Sequence, residues 1–221
     1  MFVRPHRELV TIGTEASSVE GLLALPVQPR GLVLFAHGSG SSRHSPRNTF
    51  VAGVLREAGL GTLLMDLLSE DEEADSAKHF DVPLLTGRLA RVTDWIGECA
   101  ATRSLPLGLF GASTGAAAAF ALAASRPARI VALVSRGGRP DLAGAGVLAA
   151  VQAPSLLLVG ALDTRVLALN HAAHDTLTCE KHLEIIPGAS HLFEEPGRIE
   201  IVATHAVAWF ERYLGAALRH Q

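Results

Sequence analysis

Cysteine is scarce: Cys99 and Cys179 are the two in 221 residues. Two cysteines build no disulfide framework, and a reducing compartment is the simpler expectation. Long apolar runs are also missing. The longest, Ala116–Ala124, is far short of the ~18–20 residues that span a bilayer. The N-terminal MFVRPHRELV has no apolar core of the kind a signal peptide carries. Charge of one sign is absent as well. The net charge is −3, and no block of ~5 like charges occurs, so neither nucleic acid nor an acidic membrane is an expected partner. Aromatics make up 5% of a chain that is 48% hydrophobic, so alanine, leucine and valine must carry the core. Internal repeats, low-complexity tracts and linkers are not seen. These absences predict one soluble, cytoplasmic domain over residues 1–221, able to bury roughly 70% of its unfolded surface.

What is present is organised around Leu105–Phe120, LPLGLFGASTGAAAAF. A short apolar run reads as a buried strand, Gly111-Ala112-Ser113-Thr114-Gly115 as a sharp turn, and the alanine tract as a helix. That order is the setting a G-x-S-x-G nucleophile elbow needs. A serine hydroxyl must project clear of the backbone and meet a base before it attacks. The two glycines let strand and helix pass close to one another.

The remaining chain alternates strands and helices. Strands are predicted at Glu8–Ile12, Val19–Leu25, Leu32–Ala36, Gly61–Asp66, Leu105–Phe110, Ile130–Ser135, Pro154–Gly160 and His182–Ile186. The first two form an antiparallel hairpin about a turn at Thr14–Ser18. Helices are predicted at Asn48–Ala58, Leu84–Ala101 and Arg198–Leu218 from apolar spacing, with a polar, acidic loop at Ser69–Lys78. Such alternation argues for an α/β fold with a mostly parallel sheet and right-handed crossovers. Between Arg136 and Ala153 there is room for one short helix and not for a cap domain.

Chemistry is then sought at carboxyl strand ends, where open α/β sheets bind ligands. Leu32–Ala36 runs into His37-Gly38-Ser39-Gly40. A phosphate loop is disfavoured, because G-x-x-x-x-G-K-[ST] is absent. An oxyanion loop of the H-G type fits the serine better, with the N–H groups of Ser39 and Thr114 as donors and His37 as a loop organiser. Gly38 and Gly40 are expected to line the substrate. Asp163 follows one strand and His191 follows the last, 50 and 28 residues along. Each spacing accommodates one helix plus one strand, so all three residues fall at the same sheet edge in the order Ser, acid, His. Ser113 is the expected nucleophile, His191 the base and Asp163 its orienting acid. Asp163 also suits a helix N-cap, and Asp141 is the substitute acid. Arg136 and Arg139 are read either as binding an anionic substrate group or as solvated turn charges. His171 and His174 share a helix face, but without a ligand cluster they read as solvated, and no metal is expected. Cys99 and Cys179 are placed on helices away from the strand ends.

The segments HGSGSSRHSPRN (His37–Asn48), GASTG, SRGGRPDL (Ser135–Leu142), VGALD and PGASHLFEEPG (Pro187–Gly197) carry a resemblance. The chain resembles the α/β-hydrolase superfamily over nearly its full length, and within it the small capless branch related to dienelactone hydrolase. The resemblance implies an eight-stranded sheet with helices on both faces, cleavage of an ester or similar acyl bond, and no metal or other cofactor. Dienelactone hydrolases proper use a cysteine nucleophile. Ser113 departs from that, so the lactone substrate is not carried over. Domains of this kind also occur joined to phosphoribosyltransferase domains, and this sequence reads as the hydrolase part alone. The expectation is a carboxylesterase-like serine hydrolase acting on a small ester, with a homodimer left open. Thioester hydrolysis or acyl transfer by the same triad, and a non-catalytic binding protein on the same scaffold, are the competing readings.

Overall fold

The computed structural model describes residues 4–14 and 17–217. One eight-stranded sheet has the order β1-β2-β4-β3-β5-β6-β7-β8. The strands are β1 (His6–Thr14), β2 (Ser17–Leu25), β3 (Leu32–Ala36), β4 (Gly61–Met65), β5 (Leu107–Ala112), β6 (Ile130–Arg136), β7 (Ser155–Gly160) and β8 (Lys181–Ile186). β1 and β2 are antiparallel to each other, and β2 is antiparallel to β4; β3 to β8 run parallel. The hairpin expected at the sheet edge is there, and its tip at residues 15–16 lies outside the described residues.

Period-two side-chain alternation splits each buried strand between two cores. In β3, Leu32, Leu34 and Ala36 face a core shared with α3 (Val82–Glu98) and α4 (Thr114–Ser125). Val33 and Phe35 face the other, shared with α1 (Pro46–Glu57) and α7 (Arg198–Ala217). Helices therefore cover both faces, as the apolar runs of β3 and β5 require. The chain leaves β3 toward β4 and returns to place β5 on β3's other side. This reversal opens a crevice at the carboxyl ends of β3 and β5.

Two expectations need correction. Ser69–Lys78 is not simply a loop. It contains α2 (Glu70–Glu73), started by a capping box in which Ser69 and Glu72 satisfy each other's backbone N–H. A 3-10 turn follows at Lys78–Phe80. Glu72 also pairs with buried Arg88 of α3 at 2.6 Å, so this acidic residue ties the segment to α3. Cys179 is not on a helix. It lies in the connection between α6 (Thr164–Thr176) and β8. Between Arg136 and Ala153 stand a 3-10 turn, Pro140–Ala143, and the single short helix α5 (Ala145–Ala150). No described helix is long and apolar enough to cross a membrane.

Candidate active site

Ser113 joins β5 to α4 with φ 49° and ψ −123°, a conformation that non-glycine residues rarely adopt and that costs energy to hold. The surroundings enforce it. A Cβ on Gly115 would stand 2.3 Å from the His37 carbonyl oxygen, and one on Gly111 would stand 2.5 Å from Ala116 Cα. The Ser113 carbonyl accepts from Arg139 N–H at 3.0 Å and Ala116 N–H at 3.1 Å. A serine at a helix N-cap usually turns its hydroxyl back onto the first turn. Here it makes no such bond, and the hydroxyl stays available.

The H-G loop packs directly on this serine. A Cβ on Gly38 would come within 2.8 Å of Ser113 Cβ, so only glycine fits. His37, buried at the loop's start, accepts the Leu67 N–H on Nε2 at 2.9 Å, which leaves Nδ1 to donate to the Gly38 carbonyl at 2.9 Å. Burial lowers its pKa, keeping it neutral for this two-sided bridge. The Ser39 N–H donates to Thr114 Oγ1 at 3.0 Å. Thr114 itself is the first residue of α4, where backbone N–H groups have no helical acceptor. Gly40 stands at φ 64° with open space around it.

His191 Nδ1 meets Asp163 Oδ2 at 2.6 Å. An ionised carboxylate only accepts, so Nδ1 carries the proton and Nε2 is the free basic nitrogen. The other oxygen of Asp163 accepts the Val166 N–H at 3.4 Å as the N-cap of α6. Capping and histidine contact, weighed as rivals in the sequence, coexist on one carboxylate. Asp141 is instead bound through both oxygens by Arg139 at 2.8 and 2.7 Å and makes no contact with the imidazole. No hydrogen bond joins the Ser113 hydroxyl to His191 in this resting state; a Cβ on Gly137 would lie 3.6 Å from His191 Cε1, so the turn after β6 borders the imidazole.

Three supports of the site, two in the histidine loop and one beneath Ser113, were not foreseen. Phe193 sits at φ 57° and is buried among the α7-side core residues. The carboxylate of Glu195 takes the Ser190 N–H at 3.1 Å. Buried Asn170 of α6 donates to the Gly138 carbonyl at 2.9 Å, fixing the turn beneath Ser113. Nothing in the residue pattern signals them: the Asn170 bond joins segments 32 residues apart, Phe193 has an unusual φ for a residue other than glycine, and the Glu195–Ser190 bond depends on how one loop folds back on itself.

Arg136, at the end of β6, is 8% exposed. Its Nη2 donates to Asn48 Oδ1 at 3.3 Å, and its guanidinium lies 6.0 Å over the Phe193 ring. Nε and Nη1 have no partner. Burial and the neighbouring Arg47 push its pKa down to about 10, so it is still charged at neutral pH. Arg139 is committed to Asp141 and does not share this position. His171 and His174 lie on α6 as expected, and no group of three or more metal-ligating side chains occurs among the described residues.

A doubly covered, mostly parallel sheet with a strained serine between strand and helix, and an Asp–His pair two strands away, defines an α/β-hydrolase. A crystal structure of dienelactone hydrolase from Anabaena variabilis superposes with a TM-score of 0.91 at 49% identity, over 95% of this chain and 99% of that one. The chain therefore belongs to the dienelactone hydrolase family of α/β-hydrolases. A lidless α/β serine hydrolase from Xanthomonas campestris shares the fold at 21% identity and a TM-score of 0.77, over 96% of each chain. A scan against protein-family models gave no match. Two Mycobacterium tuberculosis proteins, from strains CDC 1551 and H37Rv, carry the provisional name phosphoribosyl transferase. Each is 54% identical over 196 residues, 89% of this chain. This chain spans 44% of the length of those relatives.

Proposed function

We propose that the protein is a serine hydrolase that cleaves a small carboxylic ester through Ser113, His191 and Asp163. The observation that carries this is the 2.6 Å bond from His191 Nδ1 to Asp163 at the sheet edge where Ser113 is held at positive φ. That bond fixes the tautomer with Nε2 as base. Ser113 Oγ attacks the carbonyl carbon, its proton passes to Nε2, and the carbonyl π pair moves onto oxygen. The imidazolium then gives its proton to the leaving alcohol as the C–O bond breaks. Water repeats the sequence on the acyl-enzyme. Hydrogen bonds in unliganded catalytic sites are often long and tighten on substrate, which accommodates the unbonded Ser113 hydroxyl. The Thr114 N–H, unclaimed at the helix start, suits the developing oxyanion, and Gly38 and Gly40 leave room beside the nucleophile for substrate.

The phosphoribosyl transferase name belongs to relatives more than twice the length of the shared segment, and what this segment contributes is the elbow and the Asp–His pair. For Arg136, the charged guanidinium with two unfilled donors suits an anionic group on the substrate. A carboxylated ester should then lose its preference over a neutral one in Arg136→Met; unchanged selectivity removes that role.

The main test is hydrolysis of short p-nitrophenyl esters, with fluorophosphonate labelling, by wild type and Ser113→Ala. Turnover and labelling should vanish together in the variant. A wild type that neither turns over nor labels would move the binding-protein reading to first place. Thioester and alcohol-acceptor assays on the same acyl groups separate hydrolysis of an ester from thioester cleavage or acyl transfer.

A further inference from the structure

The Ser39 N–H has a single proton, and in this structure it points at Thr114 Oγ1, 3.0 Å away. The usual arrangement of two backbone N–H donors is therefore not free for an incoming oxyanion. A hydroxyl that accepts one hydrogen bond still has its own proton to give. Three helical threonines elsewhere place that proton on the carbonyl four residues back: Thr93 on Leu89 at 2.8 Å, Thr176 on Ala172 at 2.8 Å and Thr204 on Glu200 at 2.9 Å. Thr114 opens its helix, so no such carbonyl lies behind it. Its hydroxyl proton has no acceptor in the structure, although the residue is only 2% exposed. Thr114 directly follows Ser113 in the chain, and Gly38, next to Ser39, is the residue packed against the Ser113 side chain.

Resting on the serine-hydrolase reading above, we propose that Thr114 supplies two oxyanion donors, its N–H and its Oγ1–H, with the Ser39 N–H acting behind the hydroxyl rather than on the substrate. Accepting a hydrogen bond polarises a hydroxyl and strengthens the one it donates. During attack the Ser113 O–H bond breaks, the new bond forms from Oγ to the carbonyl carbon, the proton goes to His191 Nε2, and the π pair settles on the carbonyl oxygen. Both Thr114 donors meet that charge, and no covalent bond at Thr114 changes. Thr114 is in this sense a catalytic residue through its side chain, and a β-hydroxyl at this position is required.

The assignment gives a sign that the two-amide arrangement does not. Thr114→Val keeps the shape and removes the hydroxyl. If the hydroxyl is a donor, kcat/KM on a p-nitrophenyl ester falls by about 10²–10³, chiefly in kcat. Thr114→Ser stays within several-fold of wild type. If the Ser39 N–H is the true donor, Thr114→Val releases it, and activity equal to or above wild type overturns the proposal. A boronic acid that forms a tetrahedral adduct on serine provides the second readout. Its affinity should drop in Thr114→Val by about the factor lost from kcat/KM, with KM little changed. Equal loss in Thr114→Val and Thr114→Ser would mark a packing role and also overturn it. Should Thr114→Val fail to fold, Thr114→Ala carries the same comparison. Failure of the underlying reading looks different: wild type then shows no turnover that depends on Ser113, and both proposals fall together.

Discussion

The two halves of the site are held in different ways. The elbow half, from Gly111 to Gly115 with Gly38 against it, is fixed by backbone crowding, with Cβ positions falling 2.3–2.8 Å from neighbouring atoms. The histidine half, Gly188–Glu195, is fixed by side-chain bonds: Asp163 on the imidazole, Glu195 on the Ser190 N–H and Phe193 buried below. The side chain of His191 is 38% exposed, whereas that of Asp163 is 15% exposed. Steric enforcement holds Ser113 in its positive-φ conformation. Polar enforcement leaves the imidazole more exposed than the carboxylate it meets; under the proposed function that is room to turn between accepting a proton and delivering it.

The comparison is broken most severely by adding one carbon to the elbow. Gly115→Ala drives a methyl into the carbonyl oxygens of His37 and Ala36 at 2.3 and 2.4 Å. Overpacking of this kind costs roughly 1–3 kcal/mol or more, and with backbone on both sides we expect the upper end, seen as loss of soluble protein or a Tm far below wild type. The histidine half should instead lose function without losing the fold. Asp163→Asn removes the tautomer control, and kcat should drop about 10⁴-fold while a thermal melt moves little; a near-wild-type kcat would remove Asp163 from the triad. Glu195→Gln leaves one acceptor for the Ser190 N–H and shifts the loop slightly. A misplacement of up to 1 Å costs up to about 10²-fold, read as lower kcat at unchanged Tm. The smallest effect tests the loop packed on the elbow. The pKa of His37 is lowered by burial, so below about pH 6.5 the unfolded chain binds a proton that the folded chain refuses. Stability must then decline as pH falls, by at most about 1.4 kcal/mol per pH unit from this group. Protonation would also remove the acceptor for the Leu67 N–H. A Tm-against-pH profile of His37→Gln should lack that acid limb.

This contrast explains what could be read in advance. The elbow was legible because its constraints are local: glycines at fixed spacing, an apolar strand before and an alanine tract after. The sheet was legible because buried parallel strands such as LVLFA leave little doubt about their state. Boundaries moved where caps decide them. α1 begins at Pro46 because Ser45 accepts the Asn48 N–H, and α2 appears because Ser69 and Glu72 close a capping box. The sequence favours Asp163 over Asp141, although both follow strands at the same edge. The structure adds a reason that no spacing carries: Arg139 occupies Asp141 through two bonds. Arg136 was visible as a charge at a strand end, but its enclosure by Asn48 and Phe193 depends on α1 and the β8–α7 connection folding over it.

The strand order has a consequence for how the molecule comes into being. His37, Ser113, Asp163 and His191 come from four separate connections, and β8, which leads into the last of them, is an outer strand made late in synthesis. A ribosome-bound chain that has finished β5 and α4 already holds Ser113, the proposed nucleophile, but not yet His191, its proposed base. Contacts this distant in sequence also form slowly. If the proposed function holds, acyl chemistry switches on with completion of the sheet, and recovery of esterase turnover during refolding should trail recovery of helix signal.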